Sequence, residues 1–205
     1  MSGTTEAPGT ARGAAEVRAP DRALQTQGRR AAEAKATMPD ASCTRTVAAG
    51  DGDAGDRVVA ALARALRDHP QANASYRDAA VERYPRVNVG LVLAHGDGST
   101  LVTIGDADQK DAGAIAAERG MLAEKAAAGT LTAPDSAGAT CSVVDLSGTG
   151  VTSVTPILVP PHAIALGIGG VQPDGTLTLS LTWDQRVLGP HAAAALLDAV
   201  ADGLR

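Results

Sequence analysis

The sequence predicts an α/β sandwich, because segments with helical apolar spacing alternate with short extended ones along the chain. Its 205 residues are 44% hydrophobic but only 1% aromatic, so the core must be aliphatic. A chain of this length can bury a full core without metal or disulfide staples. Residues 1–20 mix Gly, Pro and charges without an apolar period, so we expect a loose, flexible tail before one domain over residues 21–205.

The helical segments differ in what begins and ends them. The helix over 21–37 ends at Met38-Pro39, because proline disfavours a helical conformation in the residue before it. Asp56 is the predicted cap of the second helix, and Gly129 is placed to end the third in a left-handed conformation. The predicted helices cover residues 21–37, 56–68, 111–128 and a final segment that opens at Pro190.

Short apolar and β-branched runs predict the strands. Pro173-Asp174-Gly175 is a turn signal, since Pro fixes φ and Gly allows a positive φ. We therefore expect the last two strands to form a hairpin. The predicted strands cover residues 87–93, 100–104, 140–144, 163–168 and 176–182.

Charge and rare residues exclude several classes of function. The net charge of -5 repels phosphate backbones and anionic membranes, and three aromatic residues are too few for stacking bases. Cys43 and Cys141 stand far apart without ligand-type neighbours, so we expect reduced thiols and no metal site. With no apolar run long enough to span a bilayer, the sequence predicts a cytoplasmic protein without nucleic-acid or membrane partners.

Three stretches carry a resemblance to a known family, over about Gly28 to Leu204. They are RRAAEAKATMPDAS, the ordered series from ALARALRDHPQANASY to LAEKAAAGTLT, and TPILVPPHAIALGIG with LSLTWDQRVLGPHAAAALL. Together they resemble the catalytic domain of the dihydrolipoamide acyltransferases of 2-oxoacid dehydrogenase complexes. The resemblance implies a chloramphenicol acetyltransferase-like two-layer sandwich with a mixed sheet and packed helices.

The residues that this family uses for catalysis are replaced here. On the family signature DHRxxDG, Asp184 and Arg186 match and imply an internal ion pair, whereas Gln185 stands at the catalytic His and Gly189 at the second Asp. The hydroxyl that stabilises the oxyanion falls at Val144. An amide cannot act as a general base, and Val has no hydroxyl to donate. The sequence therefore predicts a relative that lacks the usual catalytic His.

Other residues near these positions are further candidates, and three of them have two interpretations each. Gln185 is a candidate for positioning substrate. His191 is a displaced base or a solvated capping residue, and His162 is a channel base or a polar residue at a strand edge. Trp183 covers one wall of the channel or belongs to the core. Asp145, beside Val144, would repel an oxyanion if it entered the channel.

Two functions follow from the resemblance. The first is a stand-alone acyltransferase that moves an acetyl group from acetyl-CoA to a hydroxyl of a small secondary metabolite, such as a tetronate antibiotic precursor, free or bound to a carrier protein. The second is a catalytically silent relative that acts in assembly or ligand binding. Lys occurs only at positions 35, 110 and 125 inside the domain, so we expect no lipoyl group on this chain.

The resemblance also predicts an assembly. The family's active site lies between subunits, which implies a homotrimer. The apolar segment that joins trimers into larger particles would follow Leu204, and the sequence ends at Arg205. We therefore expect a closed trimer.

Overall fold

The computed structural model describes residues 5–10, 13–95 and 98–205. At its start, β1 (Thr5–Thr10) and β2 (Gly13–Val17) pair antiparallel, with Thr5 opposite Val17. These two strands fall within the predicted tail over residues 1–20, where backbone ladder bonds form without an apolar period. Residues 1–4 and 11–12 of that predicted tail lie outside the described part.

Nine of the following thirteen helices and strands correspond, within a few residues, to the four helices and five strands predicted from the sequence. The helices of the described chain are α1 (Arg22–Thr37), α2 (Ala54–Asp68), α3 (Ala112–Ala127), α4 (Ala133–Ser136) and α5 (Pro190–Asp202). The remaining strands are β3 (Asp40–Ala48), β4 (Ala74–Arg77), β5 (Ala80–Arg83), β6 (Val89–His95), β7 (Gly98–Ile104), β8 (Cys141–Asp145), β9 (Ile164–Ile168) and β10 (Thr176–Asp184).

The main sheet is mixed and has the strand order β3-β10-β9-β8-β6-β7. The pairs β6-β8 and β8-β9 are parallel, and the others are antiparallel. The expected hairpin between the last two strands is confirmed, with Gly175 at φ +76° in its turn. The described chain thus has the mixed sheet and packed helices that the sequence predicts.

One local prediction is wrong, and one hairpin was not predicted. Asp53, not Asp56, caps α2, because its carboxylate accepts a hydrogen bond from the Asp56 backbone N–H at 3.2 Å. The β4-β5 hairpin was not predicted, since its turn places Asp78 and Ala79, neither of them glycine, at positive φ.

The two faces of the sheet have different partners. On β10, Leu177, Leu179 and Leu181 alternate toward one face and join residues of α2, α3 and α5 in the main core. On β9, Ala165 points to the other face and packs with Ala34 and Met38 at the end of α1. Helix α1 therefore lies on the face opposite the main core, where it forms part of two clefts. No helix in the described residues is long and apolar enough to span a membrane.

Candidate functional site

The loop after β10 is held by an ion pair. Arg186 donates from Nη2 to Asp184 Oδ2 at 2.6 Å and from Nε to Oδ1 at 2.9 Å, and the Asp184 side chain is fully buried. The guanidinium also lies 4.3 Å from the centre of the Tyr76 ring. These contacts fix the backbone around Gln185, whose side chain is exposed to solvent.

Other polar groups at this end of the sheet are already paired or point outward. Gln185 donates its backbone N–H to the Pro39 carbonyl at 3.0 Å. Next to it, Asp40 forms an ion pair with Lys35 at 2.6 Å. His191 lies in the first turn of α5 and is exposed. Because Asp40 is engaged with a cation, this end offers the Gln185 amide and the His191 imidazole to an approaching molecule.

A cleft of about 570 Å³ opens on the face covered by α1. Its walls come from α1, the start of β7 and residues 154–159, and Val144 lies in the wall. Leu101, Ile157 and Leu158 make much of it apolar. Val144 therefore lines a cavity of small-molecule size, as its matched position in the family implies, but brings no hydroxyl to it.

A second cleft, of about 480 Å³, shares Arg30, Leu101, Ser136 and Val159 with the first, so the two are contiguous. His162 lies in its wall and is only 4% exposed. Burial lowers the pKa of His162 to about 4, although a hydrogen bond to the Ala139 backbone opposes the shift. Within the described chain, Nδ1 of this imidazole has no hydrogen-bond partner. At neutral pH the ring is uncharged, with an unused acceptor nitrogen.

Asp145 does not face the clefts. It follows Val144 on β8 and so points to the opposite face of the sheet, where its carboxylate lies against Gly55 at the start of α2. Burial raises the pKa of nearby Asp56, which Arg119 contacts at 2.7 Å, and the charge of Asp145 adds to that shift. Asp145 therefore lines neither cleft, because strand alternation turns it toward α2, and its role in substrate binding stays a prediction.

Trp183 does not form a channel wall either. It is 4% exposed and belongs to the main core, because it lies on the face of β10 that packs against the helices. Trp183 is not among the residues that line the two clefts. Its second reading, as a core residue, is the one that the structure supports.

One chain cannot bring Val144 and Gln185 together. Val144 pairs with Gly167, and Gly167 pairs with Ser180, so Val144 lies in the same row as Ser180, two strands away. Gln185 follows Ser180 by five residues. At about 3.3 Å per residue and about 4.8 Å per strand, the two are roughly 20 Å apart. A site that uses both residues needs a second copy of the chain.

Two arginines of α1 also line the clefts and were not predicted as site residues. Arg22 and Arg30 line the larger cleft, and Arg30 also lines the smaller one. Their spacing of eight residues, with Thr26 between them, places them on one helical face. That spacing was the available signal. In the described part of the chain, no cluster of three or more His, Cys, Asp or Glu residues could hold a metal ion.

Comparison with known proteins agrees with this architecture. The family model for the 2-oxoacid dehydrogenases acyltransferase catalytic domain matches residues 53–205. The chain belongs to this family. Relatives of the acyltransferase domain include component 2 of the mitochondrial pyruvate dehydrogenase complex of Arabidopsis thaliana, 31% identical over 70% of this chain and 29% of that protein. Another is the acetyltransferase component of the Bacillus subtilis acetoin cleaving system, 31% identical over 66% of this chain and 37% of that protein.

The matched part of this chain therefore corresponds to about a third of the length of each of these two relatives. Among solved structures, the Azotobacter vinelandii dihydrolipoamide acetyltransferase superposes with a TM-score of 0.88 at 25% identity, covering 100% of this chain and 97% of that one. That protein was studied for the roles of a serine, a histidine and an asparagine in its mechanism. Chloramphenicol acetyltransferase shares the fold, with a TM-score of 0.58 at 15% identity over 86% of this chain and 94% of that one.

Proposed function

We propose that this protein transfers an acetyl group from acetyl-CoA to a hydroxyl of a small secondary metabolite, such as a tetronate. The two contiguous clefts of about 570 and 480 Å³ carry the proposal. Their sizes lie in the range of small-molecule sites, and their walls combine apolar side chains with a few polar groups. Family membership supports acyl transfer in general. The identities of the acetyl donor and of the acceptor are our proposal.

The reaction needs two copies of the chain. The acceptor lies in the clefts of one copy, and the Gln185 end of a neighbouring copy closes the site beside Val144. The acceptor oxygen attacks the thioester carbon, the C–S bond breaks and an ester forms, while the hydroxyl proton passes to the departing thiolate. Proximity alone supplies a large part of such a rate enhancement, since bound reactants pay no further entropy.

The chain's own polar groups support this chemistry only weakly. Gln185 offers an amide that can orient the donor, and His191 is a candidate base at the same end. His162 accepts a hydrogen bond from the hydroxyl of the substrate. Because its pKa is near 4, it takes up a proton poorly at neutral pH. Because loss of a matched base costs about 10²- to 10⁴-fold, we expect a slow reaction.

The test measures release of free CoA thiol from acetyl-CoA with a panel of small hydroxylated acceptors. The protein should release CoA faster with an acceptor than without one, and mass spectrometry should find the acetyl ester. His162→Gln and His191→Gln separate the two candidate bases. Cys43→Ser is the background control, because Cys43 is partly accessible and carries a thiol. The proposal would be contradicted if no acceptor increased the release of CoA and the rate stayed at that of buffer alone.

A second candidate function has its own observation. Val144, Gln185 and Gly189 stand where the family places its reacting groups, and none of the three can donate or accept a proton there. A catalytically silent relative that binds a ligand or acts in assembly would have these replacements. Saturable ligand binding, without release of CoA from acetyl-CoA in the presence of any acceptor, would favour this second function.

A further inference from the structure

The paired clefts are positively charged, although the whole chain carries a net charge of -5. Among the described residues that line them, Arg22, Arg30 and Arg86 are cationic, and none is Asp or Glu. Arg86 is neutralised by Asp106, to which its Nε donates at 2.6 Å. Arg22 and Arg30 form no ion pair within the described chain. The acidic residues that give the chain its negative net charge are thus absent from the described lining of these clefts.

Arg30 and His162 converge on the smaller cleft. Both line it, and the charge of Arg30 lies close enough to His162 to act on its imidazole. The His162 ring forms a hydrogen bond with the Ala139 backbone, and an antiparallel bridge to Ser75 holds the His162 main chain. Ser75 in turn shares a hydrogen bond of 2.8 Å with the hydroxyl of Tyr84, another lining residue. The wall of the cleft therefore combines a buried imidazole that has an unused nitrogen with a guanidinium that forms no ion pair in the described chain.

We propose that this cleft takes a small hydroxylated monoanion as the acyl acceptor, with Arg30 bound to its anionic group and His162 Nδ1 accepting a hydrogen bond from its hydroxyl. This inference rests on the proposed function, because it names the substrate class of the same site. A buried, neutral imidazole with one unused acceptor favours an O–H donor. A guanidinium without a partner favours a carboxylate or a phosphate.

The test uses a matched pair of probes, 3-hydroxybutyrate and butane-1,3-diol, which share a hydroxyl and a carbon chain but differ in charge. Binding is followed by NMR through the imidazole signals of the four histidines. The acid should bind about tenfold or more tightly than the diol, since a hydrogen bond to a charged group is lost with the diol. It should shift the His162 signal and leave that of His191 in place.

Variants of α1 give the control. Arg30→Gln should weaken binding of 3-hydroxybutyrate about tenfold and leave the diol unchanged. Arg29→Gln removes the same charge from the adjacent position, which lies outside both cleft linings, and should change neither. Equal affinity for the two probes, or equal effects of the two variants, would overturn the proposal.

The anionic group that Arg30 binds has a second possible source, the phosphates of CoA. If Arg30→Gln weakens acetyl-CoA and leaves 3-hydroxybutyrate unchanged, Arg30 holds the donor and the proposal is overturned. Binding of the acid at Arg30 and His162 without any acetyl transfer would keep the ligand class and reject the proposed function. Transfer to neutral and anionic alcohols at equal rates would keep the function and reject the ligand class.

Discussion

At the residue scale, burial changes the chemistry of the His162 side chain. Burial moves its pKa from 6.5 to about 4, so the folded protein holds the ring neutral at a pH where the unfolded chain protonates it. The contribution of His162 to stability is therefore fully present above pH 6.5 and is lost as the pH falls toward 4. The same neutral ring is what gives the smaller cleft its hydrogen-bond acceptor.

The first prediction follows from this shift. His162→Gln should lose less stability than the parent protein between pH 7 and pH 4.5, by on the order of 2–3 kcal/mol, because Gln does not titrate. Urea unfolding at both pH values measures the difference, and carboxylates shared by both proteins cancel. His191→Gln, at an exposed position, is the control and should behave like the parent. A parallel pH dependence in His162→Gln would contradict the prediction.

Restoring the family's missing imidazole should not by itself restore strong catalysis. We expect Gln185→His to leave acetyl transfer to dihydrolipoamide within about tenfold of the parent rate, because residues that act as a unit are far from additive. The new imidazole would lack a supporting side chain at Gly189 and a hydroxyl at Val144.

The companion of that prediction is a triple variant. Gln185→His combined with Gly189→Asp and Val144→Ser should exceed Gln185→His alone, as measured by steady-state CoA release. A single substitution that reaches the rate of an active relative would show that the other two positions are irrelevant.

At the scale of elements, the segment after β8 depends on glycine for its path. Residues 149–156 cross the face of the sheet that carries the clefts, close to the backbone of β9. A Cβ at Gly167 would overlap the Val154 carbonyl oxygen and crowd Pro156. Val154 and Pro156 also line the larger cleft, so the packing of this segment shapes the candidate site.

Gly167→Ala should therefore destabilise the protein by about 1–3 kcal/mol or more, since an added methyl group in a packed contact forces the backbone to move. Gly120→Ala is the matched control. Gly120 lies inside α3 with nothing within 4 Å of its Cβ position, so this change should be neutral or stabilise by up to about 1 kcal/mol. Thermal unfolding of both variants measures the difference. Equal melting temperatures would contradict the proposed crowding.

The main elements could be predicted from sequence because their signals are local. Leu177, Leu179 and Leu181 alternate as a strand should, and Pro190 marks the start of α5. The candidate site was less predictable, because its parts come together only through the register of the sheet. The spacing between Val144 and Asp145 could not show which of them faces a cleft. The alternation of Leu177, Leu179 and Leu181 does extend to Trp183, and it favours the core position that the structure gives this residue.

At the scale of the whole molecule, the candidate site is divided between the two ends of the sheet. The Val144 end has the clefts and the cationic α1, and the Gln185 end has the exposed amide. Val151, Ile157 and Val171 are apolar side chains that are between 41% and 47% exposed. Val151 and Val171 lie close together, since the Gly170 N–H donates to the Val151 carbonyl at 2.7 Å. This apolar surface is available for a neighbouring copy.

The last prediction is a trimer with three identical sites. Joining the Val144 end of one copy to the Gln185 end of the next uses two different surfaces, and such an interface closes on itself when each copy is rotated by a third of a turn. A lasting contact of this kind buries on the order of 1,200 Å² or more in total. Light scattering should therefore give a mass near three times 20.5 kDa.

Val151→Asp, which places charge on the exposed apolar surface, should shift the protein toward monomers, whereas Met121→Asp, at an exposed position on α3, should not. A monomer that persists at high concentration, or a particle as large as the cubic core of the pyruvate dehydrogenase complex, would contradict the closed trimer.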